Sequence, residues 1–351
     1  MTLTPAKKIT VGVLGATGSV GQKFVQLLAD HPWFEIASLA ASGRSAGMPY
    51  QEAVAWLGPS AMPEGMARMN VQACEPDLPC RLVFSALDAG VAGEVEQKFA
   101  RAGYIVVSNA RNHRLDPDVP LLVPEVNSDH LAMVEHQRFG GGMIITNPNC
   151  STIGLVIALK PLADAFGIRG VSVVTLQALS GAGYPGVPSL DILDNVIPFI
   201  RDEEEKVQAE PLKILGNYSN GSVTNADLKI SAQCNRVGVA DGHLECISVK
   251  LANGASRQDL RDAWQHFRGE PQRLKLPMAP LKPIYYLEGE SFPQPRLHRN
   301  LDKGMAVSIG RLRECTVFDY KFVAVSHNTV RGAAGGAILC AELLVQKGYT
   351  D

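Results

Sequence analysis

At 351 residues the chain is too long for one comfortable core and suits two domains of ordinary size. Its 33 Lys and Arg against 35 Asp and Glu leave a net charge of −2, and no basic stripe carries interleaved aromatics, so nucleic acid and anionic membrane surfaces are excluded as partners. The seven cysteines are odd in number and scattered, with no Cys/His cluster at metal spacing; a reducing cytoplasm and no metal are expected. No apolar run reaches the roughly 18 residues of a membrane span, and the N-terminus lacks the apolar region of a secretion signal.

In chain order, a short apolar run at 9–14 leads into a glycine turn, and residues 22–28 have helical spacing. Strand-like runs follow at 36–40, 82–85, 105–108 and 143–146, with a helix expected over 91–102. Such alternation predicts an α/β Rossmann-type domain with a parallel sheet. A helix is expected over 153–166, after which the texture changes. Strands at 170–178, 229–234, 244–251, 305–313 and 316–325 predict an α+β second domain. Residues 271–295 carry six prolines and are expected to form an extended loop, and a last helix is expected over 330–347. The division expected is 1–149, joined by the C-terminal helix at about 330–351, as a nucleotide-binding domain, with 150–329 as a catalytic and dimerisation domain.

The glycine turn is Gly15-Ala16-Thr17-Gly18-Ser19-Val20-Gly21, a GxxGxxG spacing between strand and helix. There the backbone of Gly15, Thr17, Gly18, Ser19, Val20 and Gly21 can approach a pyrophosphate, whose charge the helix N-terminus favours. An NAD site commonly places a carboxylate at the end of the second strand, to hold the ribose 2′-hydroxyl. Here that strand ends Ser42-Gly43-Arg44-Ser45, with no carboxylate. Arg44 between two serines suits a 2′-phosphate, so NADP(H) is the expected cofactor; the alternative for Arg44 is an ordinary exposed loop cation.

Cys150 lies in Asn147-Pro148-Asn149-Cys150-Ser151-Thr152, between a strand and a helix. A thiol at a helix N-terminus feels unpaired N–H groups that favour thiolate and can stabilise an oxyanion. A buried structural cysteine is the plainer alternative. His243 stands 93 residues further on, after Gly242 and before a strand. A nicotinamide cofactor with a cysteine and a histidine points to a thioester, hydride passing between its acyl carbon and the nicotinamide.

These segments resemble the aspartate-semialdehyde dehydrogenase family, in its archaeal and fungal branch, over nearly the whole chain. The resemblance is carried by GATGSVGQKF at 15–24, ASGRSAG at 41–47, FSALDAGVA at 84–92, SNARNHR at 108–114, NPNCST at 147–152, QALSGAGYPG at 177–186, the EEEK run at 203–206, CNRVGVADGH at 234–243 and HNTVRGAAGG at 327–336. Gly238 departs from the family, which more often has proline there. The resemblance implies that Cys150 forms the acyl-thioester, His243 is the acid/base and Gln177 positions the substrate, and that Asn149, next to Cys150, is one of the substrate-binding residues. It implies that Arg236 holds the substrate carboxylate, Glu203 its ammonium, and Lys206 and Arg111 a phosphate. Ser180, Gly181 and Asn328 complete the nicotinamide side. For Glu203 a solvated helix start is the plainer alternative.

The implied activity is NADP-dependent reduction of β-aspartyl phosphate to aspartate semialdehyde, on the route to lysine, threonine and methionine, by a homodimer or homotetramer. Malonyl-CoA reductases of archaea resemble the same branch and give an alternative acyl donor. A non-catalytic NADP-binding regulatory protein is the alternative of another class.

Overall fold

The computed structural model describes residue 5 and residues 7–350. Strands β1 (Ile9–Leu14), β2 (Phe34–Ala41), β3 (Gln72–Ala73), β4 (Leu82–Ser85), β5 (Ile105–Ser108) and β6 (Met143–Thr146) form one sheet in the order β3-β2-β1-β4-β5-β6. Every pairing in it is parallel. Because β1 lies in the middle, the chain runs outward to one edge and returns to β4, opening a crevice at the carboxyl ends of β1 and β4. The first helix, α1 (Ser19–Leu28), starts inside the glycine turn, three residues before the apolar periodicity announces it. Helix α2 (Ala89–Arg101) is capped by the Asp88 side chain, which accepts from the Gly90 N–H.

Helix α3 (Cys150–Phe166) leads into the second half of the chain. Strand β7 (Ile168–Gln177), helix α4 (Glu203–Ile214), the hairpin β8 (Asn217–Ser219) and β9 (Ser222–Thr224), then β10 (Lys229–Arg236) and β11 (His243–Leu251) follow. Helix α5 (Arg257–His266), β12 (Ile284–Leu287), β13 (Val307–Glu314), β14 (Tyr320–Ser326) and helix α6 (Gly335–Gln346) complete the order. The larger sheet here runs β10-β7-β11-β14-β13-β12 and is mixed, parallel at both edge pairs and antiparallel between.

Two main cores result. One packs α1 and the first sheet, with Val11, Phe24, Phe34 and Phe84, against α6, whose Ile338, Leu339 and Leu343 are wholly buried. The other packs α3 against the second sheet through Leu155, Val156 and Leu159. Helix α6 therefore returns to the first sheet although its sequence is last. Helix α3 is buried nearly all round, so its apolar residues show no single stripe.

Three expectations need correction. The proline-rich segment is not one extended loop: it holds β12, which pairs in parallel with β13, and two short helices, Glu270–Leu274 and Pro295–His298. Its prolines stand at helix starts and flank the edge strand, where a missing N–H costs little. The strand expected from 316 starts at Tyr320, because 315–319 close a turn through the Cys315 N–H to Asp319 O bond. The last helix begins with a π-helical turn, Val330–Ala334, before α6 proper.

Candidate active site

The glycine turn sits at the crevice. Gly15 has φ +74°, and a Cβ there would lie 2.6 Å from Ala86 O; a Cβ on Gly21 would lie 2.1 Å from Gly15 O. Only glycine permits that left-handed turn and that close seating of α1 on the loop. Gln22 Nε2 donates to Thr17 O at 3.1 Å and the Tyr50 hydroxyl donates to Ala16 O at 2.8 Å, so the loop is held in shape. Gly18 caps α1 without a side-chain hydrogen bond, leaving the N–H groups of the first turn for an anion. These features fit a dinucleotide. Arg44 is exposed just beyond β2, in a turn closed by Ser45 N–H to Ser42 O, apart from the main cleft.

That cleft, of about 500 Å³, is lined by Ser19 and Val20 from α1, Arg111 from the loop after β5, Asn149 and Cys150, Ser180 and Gly181, Glu203 and Lys206, Arg236 and Asn328. Residues predicted from seven separate motifs thus line one cleft. Cys150 is the first residue of α3, and its Sγ lies 3.2 Å from His243 Nε2. His243 opens β11 and is wholly buried. Its Nδ1 accepts the Ala178 N–H at 3.0 Å, and the Ala178 carbonyl accepts from Arg236 Nη1 at 2.7 Å. The two backbone groups of one residue, Ala178, therefore set the places of both side chains.

Gln177, at the end of β7, donates to Glu203 Oε1 at 3.1 Å; Asn149 Nδ2 donates to the same oxygen at 2.8 Å, and Lys206 Nζ donates to Oε2 at 3.1 Å. Glu203 is 5% exposed, so the plainer reading of a solvated helix start does not hold. Arg111 makes an ion pair with Asp202 at the mouth, both half exposed. Asn328 joins two loops: its Oδ1 accepts the Gly242 N–H and its Nδ2 donates to Ser180 Oγ, both at 2.8 Å.

The helix terminus differs from expectation in one respect. The Ser151 and Thr152 N–H groups, expected to face the thiol, donate to Asn149 Oδ1 at 2.9 and 3.2 Å. Asn149 is an N-cap, and it absorbs part of the field that a bare helix end offers. Burial pushes the Cys150 thiol up to about 12, and the Glu203 charge adds to the effect; Arg114, Arg236 and the Ser151 N–H act the other way. Burial also depresses His243 to about 3, helped by the charge of Arg236 and by His327.

Two residues of this network were not singled out from sequence. Glu210 accepts the Asn149 N–H on Oε2 at 2.7 Å and Arg114 Nη1 on Oε1 at 2.8 Å. Seven residues separate Glu203 from Glu210, two helical turns, which was the available signal that both share a face of α4. Arg114, three residues after Arg111, is the buried cation, and Arg111 the accessible one. Gly332 in the π-helical turn has no room for a side chain, since a Cβ would come 2.7 Å from Cys150 Cβ. Asn147 ties that turn to the site, its Nδ2 donating to Asn109 Oδ1 and to Ala333 O.

Two family models match the chain: "Semialdehyde dehydrogenase, NAD binding domain" over residues 10–134 and "Semialdehyde dehydrogenase, dimerisation domain" over 159–331. The aspartate-semialdehyde dehydrogenase of Schizosaccharomyces pombe is 52% identical, over 96% of this chain and 98% of that one. This chain belongs to the aspartate-semialdehyde dehydrogenase family. An archaeal relative in that family, from Methanothermobacter thermautotrophicus, is 51% identical over 96% of this chain and 99% of its own. A crystal structure of the Candida albicans enzyme with NADP superposes with a TM-score of 0.90 at 44% identity, covering 98% of this chain and all of that one. The family expected from the motifs, with its fungal and archaeal leaning, is the one found.

Proposed function

We propose that this chain interconverts β-aspartyl phosphate with aspartate semialdehyde and phosphate, using NADP(H), through a thioester on Cys150. The observation that carries the reading is the Cys150 and His243 pair, 3.2 Å apart, in a cleft that also presents Arg236, Glu203, Lys206 and Arg111. Bound NADPH supplies the hydride. The chain's own residues do the rest. The Cys150 thiolate displaces phosphate from the acyl carbon, and the phosphate is met by Arg111 and Lys206. Arg236, whose guanidinium has no ion-pair partner among the described residues, takes the α-carboxylate. Glu203 faces the ammonium, and Gln177 and Asn149 fix the orientation of that carboxylate.

For the cofactor we assign Gly15, Thr17, Gly18, Ser19, Val20 and Gly21 to the pyrophosphate, Ser42, Arg44 and Ser45 to the 2′-phosphate, and Ser180, Gly181 and Asn328 to the nicotinamide side. The product would feed lysine, threonine and methionine synthesis. The same reading divides the chain into 1–149 with about 330–351, and 150–329, supported by the packing of α6 on the first sheet. It makes the protein a cytoplasmic homodimer or homotetramer, in keeping with seven free thiols and with exposed Leu190, Leu193 and Phe199 beside the cleft segment. NADPH formation with aspartate semialdehyde, NADP and phosphate, run beside NADPH oxidation with malonyl-CoA, tests the reading. Robust malonyl-CoA reduction without aspartate semialdehyde oxidation would overturn the substrate while leaving the thioester.

A further inference from the structure

Asp202 stands at the start of α4 with φ +56° and ψ 16°, a left-handed backbone that few residues other than glycine adopt but that aspartate and asparagine tolerate. An aspartate at this place commonly accepts from the N–H groups of the first helical turn. Asp202 makes no such bond. Its Oδ2 instead accepts from Arg111 Nη1, which arrives from the loop after β5, and Arg111 is the one hydrogen-bond partner of that side chain among the described residues. The two cations assigned to phosphate therefore differ in what holds them. Lys206 donates to Glu203, a buried carboxylate that Asn149 and Gln177 also hold in place. Arg111 is paired with Asp202, and these side chains are 52% and 47% exposed. An ion pair so open to water contributes little, so a stronger anion can exchange for the carboxylate. Phosphate is such an anion: it carries more charge and takes a guanidinium fork through two oxygens, and the Nη1 that Asp202 occupies is part of that fork. The Arg111 hydrogen bond, with the charges of Arg111, Lys206 and Arg201, holds the Asp202 carboxyl below its usual range, so the competitor is itself a full anion at neutral pH.

We propose that Asp202 occupies Arg111 in the empty cleft in the place of phosphate, gives the guanidinium up when phosphate arrives and takes it back when phosphate leaves. The proposal rests on the reading of Arg111 as a phosphate ligand given above. The exchange is one of ion-pair partners only, with no covalent bond made or broken. Its consequence is a phosphate site weaker than its two cations alone would make it. When acyl phosphate is reduced, the returning carboxylate favours release of the phosphate product; in the opposite direction it raises the KM for phosphate.

The assay is NADPH formation by the full-length protein with aspartate semialdehyde, NADP and inorganic phosphate, each varied in turn. Asp202→Asn keeps the shape of the side chain and its tolerance of the left-handed backbone but removes the charge. It should lower KM for phosphate about two- to fivefold, the range of an exposed ion pair, and leave KM for aspartate semialdehyde and for NADP as in the wild type. Arg111→Ala should raise KM for phosphate, and adding Asp202→Asn to it should change nothing further, because the carboxylate competes only through Arg111. An unchanged or raised KM for phosphate in Asp202→Asn, with the Arg111→Ala effect present, overturns the proposal and leaves the phosphate reading standing: Asp202 would then be idle, or would hold Arg111 ready for the anion. An equal fall in both backgrounds overturns it too, since that is repulsion without exchange. If Arg111→Ala leaves KM for phosphate unchanged, the phosphate reading of Arg111 fails, and the proposal fails with it.

Discussion

Glu203→Gln separates the two things that this carboxylate does. In the structure Oε1 accepts from Asn149 and Gln177, and Oε2 from Lys206. A glutamine keeps one acceptor oxygen for Asn149 and Gln177 but turns a donor toward Lys206. The substrate ammonium loses a charge-assisted partner contributing roughly 1.5–3 kcal/mol, equivalent to about a ten- to a hundredfold rise in KM for aspartate semialdehyde. The thiol should move the other way. The Glu203 charge raises the Cys150 pKa, second only to burial, so removing it lowers that pKa and increases the thiolate fraction at any fixed pH below it. Iodoacetamide alkylation of Cys150 in the empty enzyme, read by intact mass, should be slow in the wild type. Its rate should climb about tenfold per pH unit between pH 7 and 10 without a plateau, since the thiol titrates near 12. In Glu203→Gln the same line should lie to lower pH. A variant with unchanged KM and slower alkylation would refute the argument, because it would make Glu203 a structural hub with no electrostatic hold on either partner. A malonyl-CoA enzyme would be indifferent to the change, as that substrate has no ammonium.

Cys150→Ser should abolish turnover while NADP still binds, measured by fluorescence titration; an acyl adduct on another cysteine would defeat the assignment. Arg44→Ala should weaken NADP about ten- to a hundredfold more than NAD, the scale of one charge-assisted bond to phosphate, and equal losses would place Arg44 outside the cofactor site. Arg331→Ala should cost about 3–5 kcal/mol in chemical denaturation, because it strands Glu125 from a bidentate pair at 2.8 and 2.5 Å that is 1% and 0% exposed. Glu245 is buried, neither oxygen has a partner among the described residues, and burial holds its folded pKa well above the ordinary value. The unfolded chain therefore ionises first, and the penalty grows as pH rises above the unfolded pKa of about 4.5. Glu245→Gln should accordingly raise Tm at pH 8 and leave it nearly unchanged near pH 4; an unchanged Tm at pH 8 would show the carboxylate to be solvated.

The first sheet was legible because its strands are short apolar runs with turns between them: Ile9–Leu14, Leu82–Ser85, Ile105–Ser108 and Met143–Thr146 have the expected bounds. Helix α5 was not foreseen, although Ser256 and Asp259 form a capping box and Leu260 and Trp264 are buried four residues apart. A ten-residue helix with only two buried positions offers little periodicity. Strand β12 was hidden by the prolines around it, whose cost vanishes at a sheet edge, a tertiary fact. At the candidate site, Cys150 and His243 stood out from their own sequence context, while Arg236 and Glu203 were named only through the family resemblance. What spacing could not give was the wiring: that Asn149 spends its side chain on the helix cap and on Glu203, or that Glu210 reaches the Asn149 N–H from two turns along α4.

That wiring explains why so many segments distant in sequence must be in place before the thiol can react. Cys150 follows the first sheet and begins a helix that belongs to the second core, so its position is set by both. From the second sheet come Gln177 and His243, on adjacent antiparallel strands, with the Ala178 peptide bonded to the histidine ring. From the C-terminal segment come Asn328, which fastens the Gly242 and Ser180 loops to each other, and Gly332, which packs on Cys150. The π-helical turn lets that segment pass Cys150 closely, its Gly332 N–H bonded to His327 O and its Ala334 N–H to Thr329 O, before α6 returns to the first sheet. A side chain at Gly332 would push against Cys150 and the turn together. Gly332→Ala should then impair turnover more than folding, a split that a glycine acting only as a flexible joint would not produce.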